Sequence, residues 1–326
     1  MAYNVEPKPI FQERMNSLLK DEEDRKVFWE VLKHPPQNVI RCNTIKITPD
    51  ELKKRLKNWD IAQPFKENPE IMIIKNDLLP GELGKTREHI LGYYYVQELV
   101  SMLPIIALSP NENESLLDCC ASPGSKTTQA AAMMNNKGVL IANDNNLKRM
   151  FILSANLERC GVSDVLLTNK ESQNLSKLFY QQGFRFDKIL VDAPCSGEGT
   201  IRSSRKNMLM WNHKIINVFA KKQKVIAEHA IKLLKIGGEM VYSTCTHAPE
   251  ENEAVVNYLL SKFDLEVVQL NLELKTRPGL TVWQDEEFDE QVKKAVRIYP
   301  QDNNTEGFFL CKLKKLSDNE KNQNDK

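Results

Sequence analysis

Between about residue 115 and residue 245 the chain alternates short apolar runs with helix-patterned stretches, and this alternation restricts its fold more than any other feature. SLLDCC is followed by SKTTQAAAMM and GVLIAND by NLKRMFILSANLERCG; DVLLT and FDKILVDAP then precede VFAKKQKVIAEHAIKLLKIGG and EMVYSTC. Such an alternation predicts an α/β domain built on a Rossmann-like, mainly parallel, doubly wound sheet. Ligands of such sheets lie beyond the carboxyl ends of the strands. Two cysteines fall there: Cys195 in FDKILVDAPCSGEGT and Cys245 in GGEMVYSTCTHAPEENE.

Residues 1–108 read as a separate, small α+β domain. FQERMNSLLKDEEDRKVFWEVLKH has helical periodicity, VIRCNTIKI alternates like a strand, TPDELKKRLKN opens with a helix-start signal at Thr48 and Pro49, and EIMIIKN is a second strand. GYYYVQELVSMLPIIAL is expected as a joining helix, with Pro104 inside it. The α/β domain is expected over 109–315, followed by a disordered polar tail at 316–326.

At 326 residues and a formal charge of +1, the chain is no polycation, so an anionic partner must meet a local basic surface. Seven cysteines, an odd number, with no CxxC or CxxH spacing, argue against a disulfide framework and a zinc site. The N-terminal stretch lacks the apolar core of a secretory signal, and charge breaks every apolar run well short of a membrane span. The expectation is a cytoplasmic monomer with no membrane or metal partner.

The cofactor is read from the first two strand ends. LLDCCASPGSKT has the strand, turn and helix of a nucleotide site but neither GxGxxG nor GxxxxGK[ST]. LIANDNN ends a second strand in Asp144, an acid placed to accept hydrogen bonds from ribose hydroxyls. A nucleoside without pyrophosphate satisfies both, and S-adenosyl-L-methionine is the common one. The alternative role for Asp144 is N-cap of the following helix.

Taken together, RCNTIKI, YYYVQELVSMLP, LDCCASPGSKTTQ, ANDNNLKRM, FDKILVDAPCSGEGT, GGEMVYSTCTHAPEENEAVV and RIYPQDNNTEGFFLCKL resemble, in order, the RNA cytosine-5 methyltransferases of the NOL1/NOP2/Sun group. Within that group the chain looks most similar to archaeal and eukaryotic tRNA enzymes. The resemblance implies that Cys120, Ala121, Ser122, Pro123, Gly124, Ser125 and Lys126 form the cofactor loop, with Asp144, Arg149 and Asp192 contributing. It further implies that Lys126 is an active-site lysine and that the domain at 1–108 is RRM-like and binds RNA. The family's aspartate beside the adenine is replaced by Glu171 in TNKES, and its histidine after Tyr-Pro by Gln301, for which no catalytic role is inferred.

Two cysteines suit this chemistry. C5 of cytosine is a poor nucleophile until a thiolate adds at C6, and the adduct is released only after a base removes the C5 proton. A donor near N3, for which Asp192 is placed, eases the addition. Chemistry alone allows either thiol either role. The resemblance assigns Cys245 as nucleophile and Cys195 as the residue assisting release.

Between Gly199 and Ala227 lie seven Lys or Arg and no acid. Arg202, Arg205, Lys206, Trp211 and Lys221 in this stretch, with Arg41 from RCNTIKI, are expected to contact RNA, and the target base would have to be flipped out. The substrate expected is tRNA. Alternatives are ribosomal RNA, or a non-catalytic RNA-binding assembly factor, which loss of a cysteine or of the cofactor loop would have marked.

Overall fold

The structure, a computed structural model, describes residues 7–204, 209 and 211–321. The chain divides into two compact units, one of Gln37–Asp192 with His229–Val241, the other of Met1–Pro36, Ala193–Glu228 and Tyr242–Lys326. The second unit opens with α1 (Pro9–Leu18) and α2 (Glu22–Val31), two helices rather than one continuous pattern, because the chain turns extended at Leu19 and Asp21 caps the second helix by accepting from Asp24 N. Phe11, Met15, Leu19 and Phe28 pack there with Ile201, Trp211 and Tyr299. Each such fully buried large apolar side chain contributes about 1.5–3 kcal/mol.

The other unit begins with β1 (Asn38–Cys42), α3 (Pro49–Arg55), β2 (Ile61–Ala62), β3 (Ile71–Ile74), α4 (Glu82–Lys85), α5 (Arg87–Ile90) and β4 (Tyr94–Val96). Thr48 and Glu51 form a capping box that starts α3 as its sequence predicts. The strands make an antiparallel sheet in the order β2-β3-β1-β4. With helical segments after β1 and β3, this is the β-α-β-β-α-β arrangement of an RRM-like sheet. The expected joining helix over 92–108 is broken. Tyr94–Val96 pairs with β1, and α6 (Leu103–Leu108) starts only where Pro104 can occupy the first turn without a missing hydrogen bond.

The same unit continues with β5 (Ser115–Asp118), α7 (Ser125–Met133), β6 (Val139–Asn143), α8 (Leu147–Cys160), β7 (Leu166–Thr168), α9 (Ser172–Gln181) and β8 (Phe186–Asp192). Its sheet includes the start of β9 (Leu234–Thr244), in the order β9-β8-β5-β6-β7. The pairs β5–β6, β5–β8 and β6–β7 are parallel. The order reverses about β5, so the ends of β5, β6 and β8 flank the switch point where such sheets bind ligands. Asp118, Asp144 and Asp192 stand at those ends.

The remaining strands of the second unit are β10 (Phe263–Val268), β11 (Arg277–Pro278), β12 (Val282–Trp283), β13 (Glu286–Glu287), β14 (Val296–Ile298) and β15 (Phe308–Glu320). β15 pairs antiparallel with β10 and β14. Residues 316–320, expected in a disordered tail, continue β15, because Glu320 pairs with Phe263 of β10. Neighbour pairing supplies the backbone partners that their polar composition does not suggest. Among the described residues no helix is long and apolar enough to cross a membrane, and no cluster of acids, histidines and cysteines could hold a metal.

Candidate active site

The cofactor loop begins where β5 ends. Cys119 N donates to Leu190 O at 2.9 Å and Ala121 N to Asn143 O at 2.8 Å, so the loop leaves β5 pinned to both neighbouring strands. Asp118 is buried beneath it and accepts from Thr127 Oγ1 at 2.7 Å; burial pushes its carboxyl up to about 7. Gly124, at φ 104°, turns the chain into α7 in a left-handed conformation that disfavours other residues. A Cβ there would also come within 3.0 Å of Leu153 Cδ1. Cys120 is half-buried, and burial pushes its thiol up.

Asp144 follows β6. Its Oδ1 accepts from Asn146 N at 2.9 Å, while Asn146 itself caps α8 by accepting from Lys148 N and Arg149 N. The capping role is thus filled by a neighbour. Asp144 Oδ2 stands 3.1 Å from Arg149 Nη1 yet accepts no hydrogen bond, although it is buried. A buried carboxylate oxygen with acceptor capacity left over fits a ribose hydroxyl. Arg149 also donates to Ser122 O, and Ser122 Oγ returns a bond to Arg149 O at 2.9 Å. These residues therefore fit S-adenosyl-L-methionine. Asn169, which the sequence reading passed over, donates to Asp144 O at 2.6 Å. Glu171 is exposed at the start of α9 and makes no cap hydrogen bond.

Lys126, in the first turn of α7, is buried and donates to Asp192 Oδ2 at 2.8 Å and to Ser101 Oγ at 3.0 Å. The lysine of the loop and the aspartate ending β8 thus form one ion pair. A nearby ammonium holds the carboxylate in a fixed orientation.

The thiols belong to the second unit. Cys195 Sγ and Cys245 Sγ lie 3.1 Å apart as free thiols. Their loops are tied together: Ala193 N donates to Ser243 O and Gly199 N to Cys245 O, both at 2.9 Å, and Ser196 Oγ meets Thr246 Oγ1 at 2.8 Å. Glycine at 199 is required because a Cβ would collide with the backbone of Gly307 and Cys245. Glu198 is buried behind the loops, accepting from Trp211 Nε1 at 2.8 Å, Arg14 Nε at 3.2 Å and Thr246 Oγ1 at 3.2 Å. The hydrogen bond with Cys245, then burial, raises the Cys195 thiol well above its ordinary value. Glu251 is pushed up to about 7 by burial.

Three residues expected at an RNA surface lie elsewhere. Arg41 is buried and donates to Ser125 O at 2.7 Å and Thr128 Oγ1 at 2.8 Å, which joins the RRM-like sheet to α7 within one unit. Arg202 is buried and donates to His34 O, Thr305 O, Pro35 O and Asn304 Oδ1. Trp211 is buried against Phe11, ring centroids 5.1 Å apart. In each case internal carbonyls and rings satisfy a group that sequence alone would place at the surface. Lys221 is exposed on the helix His213–Leu233, as are Lys214 and Lys222. Arg205 and Lys206 lie outside the described residues.

Residues 105–314 match the family model of the 16S rRNA methyltransferase RsmB/F, and residues 8–99 that of the N-terminal domain of the 16S rRNA methyltransferase RsmF. The chain is 38% identical to a tRNA (cytosine(49)-C(5))-methyltransferase of Pyrococcus abyssi over 97% of its own length and 99% of the relative's. It is also 38% identical to ribosomal RNA small subunit methyltransferase F of Vibrio cholerae, over 95% of its own length but only 64% of that protein's. A methyltransferase homolog protein from Pyrococcus horikoshii superimposes with a TM-score of 0.82 at 34% identity, covering 95% of each chain. NSun6 from Pyrococcus horikoshii, solved with SFG, gives a TM-score of 0.82 at 25% identity over 95% of this chain and 99% of its own. The chain belongs to the RsmB/F (NOL1/NOP2/Sun) family of S-adenosylmethionine-dependent methyltransferases.

Proposed function

We propose that this protein methylates C5 of cytosine in RNA, with tRNA as substrate, through a covalent bond between Cys245 and C6 of the base. The carrying observation is the contact of two free thiols, each just past the end of a different strand. In this reading the Cys245 thiolate adds at C6, and the electron pair of the resulting enamine makes C5 nucleophilic. S-adenosylmethionine supplies the electrophilic methyl group. Cys195, as the thiolate left once its own proton has passed to solvent, takes the C5 proton, the C5–C6 double bond re-forms, and the Cys245 thiolate is expelled. Asp192, oriented by Lys126, relays a proton from that ammonium toward N3 as charge builds there. Asp144 orients the ribose and the Cys120–Lys126 loop the rest of the cofactor. The tRNA substrate is favoured over ribosomal RNA because the archaeal tRNA enzyme is matched over 99% of its length. All seven cysteines are free, which suits the reducing cytoplasm. A non-catalytic assembly factor would not need both thiols.

The test is trapping on RNA. Cys245→Ala should abolish methylation and leave no protein–RNA adduct on denaturing electrophoresis, whereas Cys195→Ala should accumulate one. The reverse pattern would exchange the roles, and intact methylation without adduct in either variant would sink the mechanism. Bisulfite sequencing of total RNA with and without the gene identifies the substrate.

A further inference from the structure

Cys195 lies in a segment with no strand or helix of its own, between β8 and the short 3-10 turn Glu198–Thr200. Backbone groups in such a segment must find partners outside a ladder. Ser196 N donates to Glu251 Oε2 at 3.0 Å, and Pro194 O accepts from Gln223 Nε2 at 2.9 Å. Gln223 Nε2 also donates to Glu251 Oε2 at 2.8 Å. The residues on both sides of Cys195 are therefore held by two side chains that also hold each other. Gln223 comes from the helix His213–Leu233 and Glu251 from the turn before the helix Glu253–Lys262, so two separate elements converge on this one loop.

We propose that Gln223 and Glu251 are positioning residues for the release step, clamping the backbone on either side of Cys195 so that its thiol meets the C5 proton of the adduct. The proposal rests on the reading of Cys195 as the residue that assists release. Both side chains are completely buried, yet Gln223 Oε1 and Glu251 Oε1 accept no hydrogen bond among the described residues. Buried polar acceptors without partners cost stability, and an apolar pair of the same volume would avoid that cost. Their grip on the loop is the compensating contribution. Cys245 is held differently, through its own carbonyl to Gly199 N. Loosening the clamp should consequently slow elimination and spare addition and methyl transfer, since displacement of a reacting group by about 1 Å can cost on the order of a hundredfold.

The experiment compares Gln223→Met, Glu251→Gln and Cys195→Ala in rapid-quench assays on tRNA, reading first-turnover methyl transfer, steady-state kcat and KM, and adduct on denaturing gels. Cofactor affinity by calorimetry reports folding. Gln223→Met should transfer the first methyl within about twofold of wild type, lose about tenfold or more in kcat with KM falling in proportion so that kcat/KM holds, and accumulate adduct. Glu251→Gln, which keeps an acceptor for Ser196 N, should lose less, about two- to fivefold. Equal loss of first-turnover transfer and release in Gln223→Met, or wild-type release, overturns the clamp. If Gln223→Met does not fold, wild-type kcat without adduct in Glu251→Gln overturns it instead. Should Cys195→Ala itself leave no adduct, the two-thiol reading fails, a result distinct from failure of the clamp alone.

Discussion

The Sγ atoms of Cys195 and Cys245 stand 3.1 Å apart although fifty positions separate them in the chain. Each thiol is held by loop-to-loop bonds, Gly199 N to Cys245 O and Ser196 Oγ to Thr246 Oγ1, and the contact makes the Cys195 proton dependent on Cys245.

That dependence is measurable by alkylation. The hydrogen bond with Cys245 is the largest cause raising the Cys195 thiol, so in the wild-type protein Cys195 should react slowly with iodoacetamide at pH 8. Cys245→Ala removes the partner and should speed modification of Cys195 several-fold, read by mass spectrometry of the labelled peptide. An unchanged rate would mean that burial alone protects it.

Asp144→Ala should weaken binding of S-adenosylmethionine and of its demethylated product alike. Hydrogen bonds to a charged acceptor contribute about 1.5–3 kcal/mol, or about ten- to a hundredfold in Kd. Calorimetry checks this, and equal affinity in the variant would remove the ribose assignment.

Arg202→Ala should lower stability by about 3 kcal/mol, because four internal acceptors lose their donor, and should leave the salt dependence of RNA binding unchanged. Neutralising Lys214, Lys221 and Lys222 together should do the opposite. Each lost phosphate contact reduces the slope of log K against log salt by about 0.7–0.9. Melting curves and filter-binding titrations separate the two; a flattened slope in Arg202→Ala would restore it to the RNA surface.

His247 is buried, stacked on Tyr299 with centroids 4.8 Å apart, and burial pushes its pKa down to about 3. A histidine kept neutral in the folded state contributes full stability above its unfolded pKa of about 6.5 and loses it as pH falls toward 3, because the unfolded chain then binds the extra proton. At pH 5 the loss is about 2 kcal/mol. His247→Phe should flatten urea-derived stability between pH 7 and pH 5 relative to wild type; parallel curves for both proteins would contradict this.

Much of the α/β unit was legible in the chain. Alternating apolar runs and helical stretches leave few ways to bury both faces of a sheet, so the strand ends and the acids and cysteines standing on them could be placed before any coordinates. The helix start at Thr48 and Pro49 and the turn at Gly124 were legible because each depends on residues close in sequence. Partners distant in sequence were not legible. A basic residue carries no local mark that distinguishes a phosphate contact from a buried donor to carbonyls, and only the fold delivered His34, Pro35 and Thr305 to Arg202, or Ser125 and Thr128 to Arg41. Residues 316–320 look like a polar tail until β10 supplies the partner that makes them strand. By itself the sequence determined the layered fold and the kind of cofactor, because these depend on local pattern and residue type. Only the tertiary structure decided which charges are buried, which oxygen of Asp144 remains to be satisfied, and which side chains hold Cys195 in place, because hydrogen bonds between distant segments exist only once the chain has folded.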